Sequence, residues 1–325
     1  MQYYTNLEFR AISSRKFQNM GLIEVGTVAF DAIETPFGKR EKVVGGAATY
    51  IALAASYFVE NSNLVSVIGD DFSQDMIREF KNRGVALEGL QVKEGEKSFF
   101  WSGKYHFDMN TRDTLVTDLN VLADFQPKIP ESYQGSKFVM LGNLAPAVQK
   151  SVIDQMDPKP DLIVLDTMNF WMDIALGELK EVISMCDVLT INDEEARQLS
   201  GEYSLVVAAR KILAMGPKYL IIKKGEHGAL LFDENEIFFA PALPLEEVVD
   251  PTGAGDTFAG GFIGHIAKTG DTSFENMKSA IIAGSAMASF TCEKFGPERL
   301  LELTPDEINK RIGEFHKLVS MPAYV

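Results

Sequence analysis

Cysteine, histidine and positive charge are all scarce in this chain of 325 residues. Its two cysteines, Cys186 and Cys292, are far apart and lack metal-ligand spacing, which is typical of a protein from a reducing compartment. The four histidines are scattered and give no zinc pattern. No apolar run approaches the roughly 18 residues that a membrane-spanning helix needs. These absences predict a soluble cytoplasmic protein.

The charge balance restricts the partners further. The chain has 31 Lys and Arg residues against 46 Asp and Glu residues, which gives a formal net charge of −15. A field of this sign repels nucleic acid and anionic membranes, so neither is an expected partner. It also repels a nucleotide. A nucleotide site would therefore need local positive potential from backbone amides, a helix N-terminus or Mg²⁺.

Short apolar runs alternate with amphipathic or small-residue stretches along most of the chain, and 46% of the residues are hydrophobic. The apolar runs are typical of strands covered on both faces, and they predict strands at Leu22–Val28, Leu64–Ile68, Phe138–Leu141, Leu162–Asp166, Val188–Ile191, Tyr219–Lys223 and Ala229–Phe232. The stretches between them predict helices at Ala47–Phe58, Ser73–Arg83, Ala147–Gln155, Asp193–Leu199, Ser204–Ala214, Thr257–Lys268, Ser279–Phe290 and Pro305–Leu318. This alternation predicts an α/β fold with a mainly parallel sheet and helices on both faces.

Two regions interrupt this rhythm, Asp31–Val44 and Gly95–Leu119. The second alternates partly and is rich in aromatic residues, which is typical of antiparallel strands: Phe99, Phe100, Trp101, Tyr105 and Phe107. We expect the two regions to form a small β domain with bounds 31–44 and 96–118. The main domain would then comprise 20–30, 45–95 and 119–325. Residues 1–19 are an N-terminal extension to which no function is assigned.

The segment Asp250–Asp256 reads Asp-Pro-Thr-Gly-Ala-Gly-Asp and carries the most chemistry. A strand-like run precedes it, and we expect a helix to begin at about its last residue. The N–H groups of Gly253, Ala254 and Gly255 and the helix dipole would then bind an anion, such as a transferring phosphoryl group. The Asp256 carboxylate would repel phosphate but would accept a proton from a hydroxyl that attacks it. The alternative is a plain helix N-cap.

Three weaker motifs lie elsewhere, and each has a simpler structural interpretation. Gly45-Gly46 before a helix permits a ligand to approach the backbone, or is only a flexible turn. Asn192 and Glu195 have the form of a capping box, or hold the waters of a Mg²⁺ ion against phosphates. The segment 223–228, with two lysines and two glycines, cradles a nucleotide or forms a hairpin with a charged tip.

In this order and spacing, the motifs resemble those of the ribokinase-like (PfkB) family of carbohydrate and nucleoside kinases. Gly45-Gly46 matches the family's early Gly-Gly signature, and Asn192 to Glu195 matches its Asn-x-x-Glu motif. Asp250–Asp256 matches the late Asp-Thr-x-Gly-Ala-Gly-Asp signature at six of seven positions, with Pro251 as the variant. The resemblance covers the chain from Leu22 onwards. It implies a three-layer α/β/α fold with a mainly parallel sheet and a small β-sheet lid.

The resemblance also implies a role for each matched residue. Asp256 is the expected catalytic base, with an anion hole formed by Gly253, Ala254 and Gly255. Substrate is expected to be held by Asp31, which ends the first strand, and by Gly45, Gly46 and Thr49. The nucleotide and its magnesium are expected at Asn192, Glu195, Lys223, Gly225 and Gly228, with Glu195 reaching Mg²⁺ through water. An activating K⁺ is expected at Asp250 and Thr252.

The implied reaction is ATP-dependent phosphorylation of a hydroxyl, expected to be primary, on a small sugar or sugar-like molecule. ATP and Mg²⁺ are the expected nucleotide and cofactor, and K⁺ is a further candidate. The lid is expected to close over the substrate and to form a homodimer interface. No nucleic acid and no membrane is expected as a partner.

Departures from the family pattern leave the acceptor open. Thr49 stands near the place of a substrate-binding Asn, and a strand that often ends Asp-x-Asn-x-Arg continues from Asp166 without any arginine. The lid aromatics suit a sugar face, a nucleobase or simple sheet packing. A nucleoside kinase of the adenosine type is therefore one alternative, and a non-catalytic binder is another. An NAD(P)-dependent oxidoreductase is disfavoured because the first strand lacks a Gly-x-Gly-x-x-Gly turn.

Overall fold

The computed structural model describes residues 21–319, so the extension predicted for residues 1–19 lies outside the described part. The strands are β1 Leu22–Val25, β2 Ala29–Thr35, β3 Gly38–Gly45, β4 Ser62–Gly69, β5 Val85–Lys93, β6 Phe99–Tyr105, β7 Arg112–Asp118, β8 Phe138–Leu141, β9 Leu162–Asp166, β10 Val188–Asn192, β11 Tyr219–Lys223, β12 Ala229–Phe232 and β13 Ile237–Ala240. The helices are α1 Ala47–Ala55, α2 Gln74–Asn82, α3 Pro146–Asp154, α4 Asn169–Ile174, α5 Leu176–Ile183, α6 Asp193–Ser200, α7 Leu205–Leu213, α8 Ala254–Thr269, α9 Phe274–Thr291, α10 Glu298–Glu302 and α11 Pro305–Leu318.

The larger of two sheets has nine strands in the order β13-β12-β11-β10-β9-β8-β1-β4-β5. The strands from β11 to β5 run parallel, and β12 and β13 add two antiparallel strands at one edge. Helices α3, α5, α6 and α7 pack on one face, whereas α1, α8 and α9 pack on the other. The predicted three-layer α/β/α fold is therefore confirmed.

The burial of β9 shows why its sequence is an unbroken apolar run. Ile163 and Leu165 belong to the core on one face of the sheet, whereas Leu162 and Val164 belong to the core on the other. A strand covered on both faces needs apolar side chains at successive positions. Strands β8, β9, β11 and β12 have the predicted bounds for this reason. The sequence pattern does not predict β5 or β13, which lie at the two edges of the sheet.

The predicted first strand, Leu22–Val28, is too long. Strand β1 ends at Val25, and the chain then leaves the larger sheet and enters β2 at Ala29. Asp31 therefore lies inside β2 of the smaller sheet, and its prediction at the end of the first strand was wrong. The apolar pattern continues into β2, so it does not mark the point where the chain crosses from one sheet to the other.

The smaller sheet, hereafter the lid, has four strands in the order β3-β2-β6-β7. Strands β2 and β6 are parallel, and the outer two pairs are antiparallel. The lid packs on the main domain through a small apolar cluster of Ile33, Tyr105 and Phe295. In addition, the Thr35 hydroxyl donates to the Val249 carbonyl over 3.1 Å. The lid thus rests directly on the chain that leads into Asp250.

Helices α1, α8 and α9 form a closely packed layer. A Cβ at Gly260 of α8 would overlap the Ile51 carbonyl of α1, and one at Gly261 would lie 3.0 Å from the Gly284 Cα of α9. The small residues of α8 and α9 thus permit close packing of these helices. Helix α8 begins at Ala254, three residues before the predicted start, and α9 is longer than predicted. Within residues 21–319, no helix is long and apolar enough to cross a membrane.

Candidate active site

Polar side chains gather where the parallel strands β9, β10 and β11 end. Asp166 ends β9, Asn192 ends β10 and Lys223 ends β11, and these three strands are neighbours in the sheet. The Lys223 ammonium lies 2.7 Å from the Asp166 carboxylate, and both side chains are largely buried. Ligands of open parallel sheets bind beyond the carboxyl ends of the strands. This edge is therefore the place where a site is expected.

The glycine-rich loop (Asp250–Asp256) approaches this edge from the helical layer. Gly253 has a φ of +76°, and a Cβ there would overlap the ring of Tyr50, so the position requires glycine. The Ala254 N–H donates to the Pro251 carbonyl over 3.1 Å and closes the turn. The N–H groups of Gly253 and Gly255 have no such partner within the described chain. Of the three predicted anion-hole amides, the two glycine amides are therefore the free ones.

Asp256 lies in the first turn of α8, where Gly253 occupies the N-cap position. Its carboxylate accepts no hydrogen bond from any residue between 21 and 319, so the plain N-cap interpretation was wrong. Burial and, to a smaller extent, the charge of Asp166 raise the pKa of Asp256 to about 7, against the opposing effects of Lys223 and Arg112. A carboxylate with free lone pairs and a pKa near neutrality is suited to act as a general base.

Asn192 and Glu195 form a complete capping box at the start of α6. The Asn192 side chain accepts from the Glu195 N–H over 2.8 Å, and Glu195 Oε2 accepts from the Asn192 N–H over 2.7 Å. Burial raises the pKa of Glu195 to about 7, and the Lys223 charge and the Asn192 N–H oppose this effect. Only one carboxylate oxygen is engaged, so the capping box and a contact with a hydrated Mg²⁺ are compatible.

A magnesium ion at this edge would find few protein ligands. Among residues 21–319 there is no group of three or more His, Cys, Asp or Glu side chains that could hold a metal. Mg²⁺ commonly takes one or two carboxylates and completes its shell with water and substrate phosphates. The single free oxygen of Glu195 fits that pattern, with nucleotide phosphates supplying the rest of the shell.

Asp31 lies on lid strand β2, and the Gly45-Gly46 pair lies beside it, where lid strand β3 ends. A Cβ at Gly45 would overlap the Asp31 carboxylate, and Gly46 has a φ of +90°, so both positions require glycine. Burial and the charges of Asp250 and Asp256 raise the pKa of Asp31 to about 7, and the backbone N–H of Gly46 opposes this effect. The structure thus brings these three predicted substrate residues together.

The fourth predicted substrate residue, Thr49, is placed differently. Its side chain is fully buried, and its hydroxyl donates to the Gly45 carbonyl over 2.6 Å. The next residue, Tyr50, has a buried hydroxyl with no hydrogen-bond partner within the described chain. Burial and the charges of Asp31, Asp250 and Asp256 raise the pKa of this hydroxyl. Tyr50, and not Thr49, therefore presents a free polar group to the site.

Asp250 and Thr252 join the glycine-rich loop to its surroundings. The Asp250 carboxylate is fully buried and accepts from the N–H groups of Thr252 over 2.9 Å and Gly296 over 3.0 Å. The Thr252 hydroxyl donates to the Tyr105 hydroxyl of the lid over 3.3 Å. Burial nevertheless raises the Asp250 pKa. A buried carboxylate that lacks a cationic side-chain partner among residues 21–319 fits the predicted contact with a monovalent cation.

Lys223, the last residue of β11, lies in the site. Gly225 and Gly228, the two glycines of the predicted nucleotide edge, belong to the β11–β12 loop and lie outside it. Gly225 has a φ of +54°, and a Cβ there would lie 2.6 Å from the Asn110 side-chain oxygen at the tip of the lid. Gly228 has a φ of +84°, and a Cβ there would overlap the Ala240 carbonyl. Lys223 is buried against Asp166, so the hairpin with a charged tip does not describe this residue. The lid tip thus contacts the loop that follows Lys223.

Four polar residues join the site that were not among the predicted site residues: Tyr50, Tyr105, Arg112 and Asp166. Asp166 carries a detectable signal, because it is a charged residue at the end of a buried apolar run. Tyr105 was visible only as one of several lid aromatics, and Tyr50 and Arg112 carry no signal, because their places depend on helix phase and on the pairing of lid strands.

A sequence model described as pfkB family carbohydrate kinase matches residues 25–303 of this chain. The chain belongs to the PfkB family. A cytidine kinase from Thermococcus kodakarensis is 29% identical over 249 residues, which cover 75% of this chain and 87% of that protein. A nucleoside kinase from Methanothermobacter thermautotrophicus is 24% identical over 324 residues, covering 90% of this chain and 96% of that protein. This PfkB protein is accordingly an ATP-dependent kinase of a sugar or nucleoside.

Solved structures show the same fold. The nucleoside kinase of Methanocaldococcus jannaschii superposes with a TM-score of 0.73 at 22% identity, covering 91% of this chain and 98% of its own. The ribokinase of Thermotoga maritima gives a TM-score of 0.72 at 21% identity, covering 90% and 99%. Both pairs share a common architecture, and at this level of identity the likeness concerns the fold alone.

Proposed function

We propose that this PfkB kinase phosphorylates the primary hydroxyl of a nucleoside. The observation that carries the proposal is the pairing of Asp31 with Trp101 on adjacent lid strands β2 and β6. Paired residues of neighbouring strands project from the same face of a sheet. A carboxylate that holds sugar hydroxyls and an indole that stacks on a base would therefore lie side by side. The nucleoside relatives support the same acceptor class.

The indole of Trp101 is held flat against the lid. A Cβ at Gly103 would overlap this ring, and the indole N–H donates to the Thr114 hydroxyl over 3.3 Å. Tyr105, two positions beyond Gly103 on the same strand face, reaches Thr252 in the glycine-rich loop. That face of the lid is therefore the inner one, and Trp101 is directed to the same side as the glycine-rich loop.

The chemistry follows from the placement of Asp256. Its carboxylate would take the proton of the acceptor hydroxyl while the acceptor oxygen forms a bond to the γ-phosphorus of ATP. The bond from that phosphorus to the β–γ bridging oxygen breaks, and the oxygen leaves with the electron pair as part of ADP. The N–H groups of Gly253 and Gly255 would stabilise the charge on the transferring group.

The remaining predicted residues would bind and orient the reactants. Asp31, Gly45, Gly46 and the free Tyr50 hydroxyl would hold the sugar, while Gly225 and Gly228 would shape the nucleotide edge. Glu195 would hold Mg²⁺ through water, and that ion would supply charge neutralisation for the phosphates. Asp250 and Thr252 would hold K⁺. The lid homodimer remains a prediction that sedimentation of the purified protein would test.

The test is release of ADP from Mg-ATP on a panel of cytidine, adenosine, inosine, ribose, fructose and 2-keto-3-deoxygluconate, with and without K⁺. We expect nucleosides to be used with the highest kcat/KM. Trp101→Ala should raise the nucleoside KM about tenfold to a hundredfold, because stacking of one base contributes about 1–3 kcal/mol. The matched control is Phe37→Ala, which removes an exposed lid aromatic at the β2–β3 turn.

Two outcomes would contradict the proposal. A free sugar used as efficiently as any nucleoside, with Trp101→Ala no different from Phe37→Ala, would reject the nucleoside. No turnover of any acceptor, together with tight ligand binding, would favour the non-catalytic binder.

A further inference from the structure

The candidate base has a lysine beside it that it does not bind. A Cβ at Gly255 would lie 3.4 Å from the Lys223 Nζ, so this ammonium lies against the residue that precedes Asp256. The charges of Lys223 and Asp256 act on each other. Opposite charges placed so close would ordinarily form a hydrogen-bonded pair. Asp256 nevertheless accepts no hydrogen bond from residues 21–319.

Lys223 is bonded to Asp166 instead. Its Nζ lies 2.7 Å from the Asp166 Oδ2, and this is its one ion pair within the described chain. Val164 and Ile221, two positions before these residues on β9 and β11, belong to the core that includes α8. Because side chains alternate along a strand, Asp166 and Lys223 also project from the face that α8 covers. The pair therefore lies next to the first turn of α8, which carries Asp256.

The Asp166 carboxylate is fixed by its own surroundings. Its other oxygen accepts from the Thr167 N–H over 2.8 Å. Its backbone carbonyl accepts from the Gln149 side chain over 3.0 Å, and the same amide donates to the Gly142 carbonyl just beyond β8 over 2.9 Å. A carboxylate that these contacts already hold in place binds an ammonium with little further loss of conformational freedom.

We propose that Asp166 is a positioning residue, which holds Lys223 away from Asp256 and so leaves the lone pairs of the base free for the acceptor hydroxyl. This inference rests on the role proposed above for Asp256. The hydroxyl proton passes to an Asp256 oxygen while the acceptor oxygen attacks the γ-phosphorus, and an ammonium bonded to that oxygen would obstruct the transfer. Lys223 would stay available to the nucleotide, which is its expected ligand.

Other titratable groups face the same space from each neighbouring element, namely Asp31 of β2, Tyr50 of α1, Tyr105 of β6, Arg112 of β7, Glu195 of α6 and Asp250 of the glycine-rich loop. The variants of the test leave all of them in place. A difference among those variants therefore reports on Asp166, Lys223 and Asp256.

The test is a cycle of Asp166→Asn, Lys223→Met and the double variant, assayed with the acceptor that the wild type uses best. In Asp166→Asn the lysine would be free to bond Asp256. We expect kcat to fall about tenfold or more, and the acid limb of kcat/KM to move to lower pH by about one to three pH units, the effect of an opposite charge in contact. The matched control is Asp154→Asn, which removes a carboxylate that lies the same 2.7 Å from Lys150 at an exposed site. It should match the wild type.

The double variant separates the contact from the loss of charge. Burial is the main cause of the raised pKa of Asp256, but the charge of Asp166 adds to it, so losing that charge also lowers it. If the ammonium bonds the base in Asp166→Asn, adding Lys223→Met should raise the acid limb by about one pH unit more than it does in the wild type. It should also restore part of kcat there. Equal shifts in the two backgrounds would overturn the proposal in favour of a field effect alone.

The conservative variant Asp166→Glu tests for a purely structural role. It retains the charge, so it should retain the wild-type acid limb. A limb as low as that of Asp166→Asn would assign the effect to the shape of the strand end and overturn the proposal.

Urea unfolding gives a readout that needs no acceptor. At pH 8 in the wild-type background, Asp256→Asn should have a higher midpoint than its parent, because it removes a carboxylate that lacks a partner. In the Asp166→Asn background that carboxylate would have gained the ammonium, so the advantage should vanish or change sign. An advantage of unchanged size would overturn the proposal. Because this comparison does not depend on turnover, a failure of the nucleoside proposal would leave it readable.

Discussion

Replacing Asp256 by asparagine is expected to stabilise the protein while it removes most of the activity. The wild-type carboxyl has a pKa of about 7 in the folded state, against an ordinary value of 3.8. This difference corresponds to about 4 kcal/mol of penalty for the ionised form, at 1.36 kcal/mol for each tenfold change. Asparagine has the same shape and no charge, so it avoids that penalty.

The sign of the effect depends on pH. A carboxyl whose pKa is raised on folding binds its proton more tightly in the folded state than in the unfolded state. The penalty is therefore absent below about pH 4, grows as the pH rises, and is complete above about pH 7. We expect Asp256→Asn to have wild-type stability near pH 4 and an advantage on the order of 2–4 kcal/mol at pH 8.

Activity should change in the opposite direction. Loss of a general base typically costs about 10²- to 10⁴-fold in rate, which is about 3–5 kcal/mol in the activation barrier. In the wild type, kcat/KM should fall as the pH drops below about 7, because the base becomes protonated. Burial is the main cause of this raised pKa, and the charges of Asp166, Lys223 and Arg112 modify it; because the Arg112 charge lowers it, Arg112→Ala should move the acid limb to higher pH.

The assay is urea unfolding followed by circular dichroism at pH 4, 6 and 8, together with ADP release from Mg-ATP. Asp124→Asn, at an exposed position, is the matched control. Turnover of Asp256→Asn within tenfold of wild type would refute the assignment of the base. A variant less stable than wild type at pH 8 would refute the electrostatic reasoning and indicate that the carboxylate supports the fold.

Two further predictions concern buried polar groups. Burial raises the pKa of Glu24 to about 8, and one of its oxygens has no partner within the described chain. Wild-type stability should therefore decline as the pH rises from about 4.5 to about 8, and Glu24→Gln should lessen this decline in urea titrations. Tyr50→Phe removes a hydroxyl that has no partner, so it should leave the free energy of unfolding unchanged or slightly higher. If that hydroxyl binds the acceptor, the variant should raise the acceptor KM about tenfold without altering the KM of ATP.

The sequence correctly predicted those features whose determining contacts lie close together along the chain. The continuous apolar runs of β8, β9, β11 and β12 gave their bounds because each strand is covered on both faces. The capping box of Asn192 and Glu195 was visible because its two residues are three apart on one helix turn. In both cases the structure-determining partners are close together along the chain.

The remaining features depend on distant partners. A helix rotates by 100° at each residue, so the choice between Thr49 and Tyr50 depends on the phase with which α1 packs, which the Gly45-Gly46 pair does not specify. Lys223 and Asp166 are 57 residues apart in the sequence. They meet because their strands, β11 and β9, flank β10 in the sheet and end at the same edge. The place of Asp31 was missed because the apolar pattern continues where the chain crosses into the lid.

The carboxyl groups of the site follow one physical pattern. Asp31, Glu195 and Asp256 each have a pKa raised to about 7, and burial is the first cause in every case. In the unliganded protein these groups are held in an environment that opposes their charge, so the site is a source of instability. Substrate hydroxyls and Mg²⁺ would each supply a favourable partner for one of them. Binding of nucleotide and acceptor together should therefore raise the thermal midpoint by more than the sum of the separate shifts, because each ligand relieves repulsion that the other also experiences.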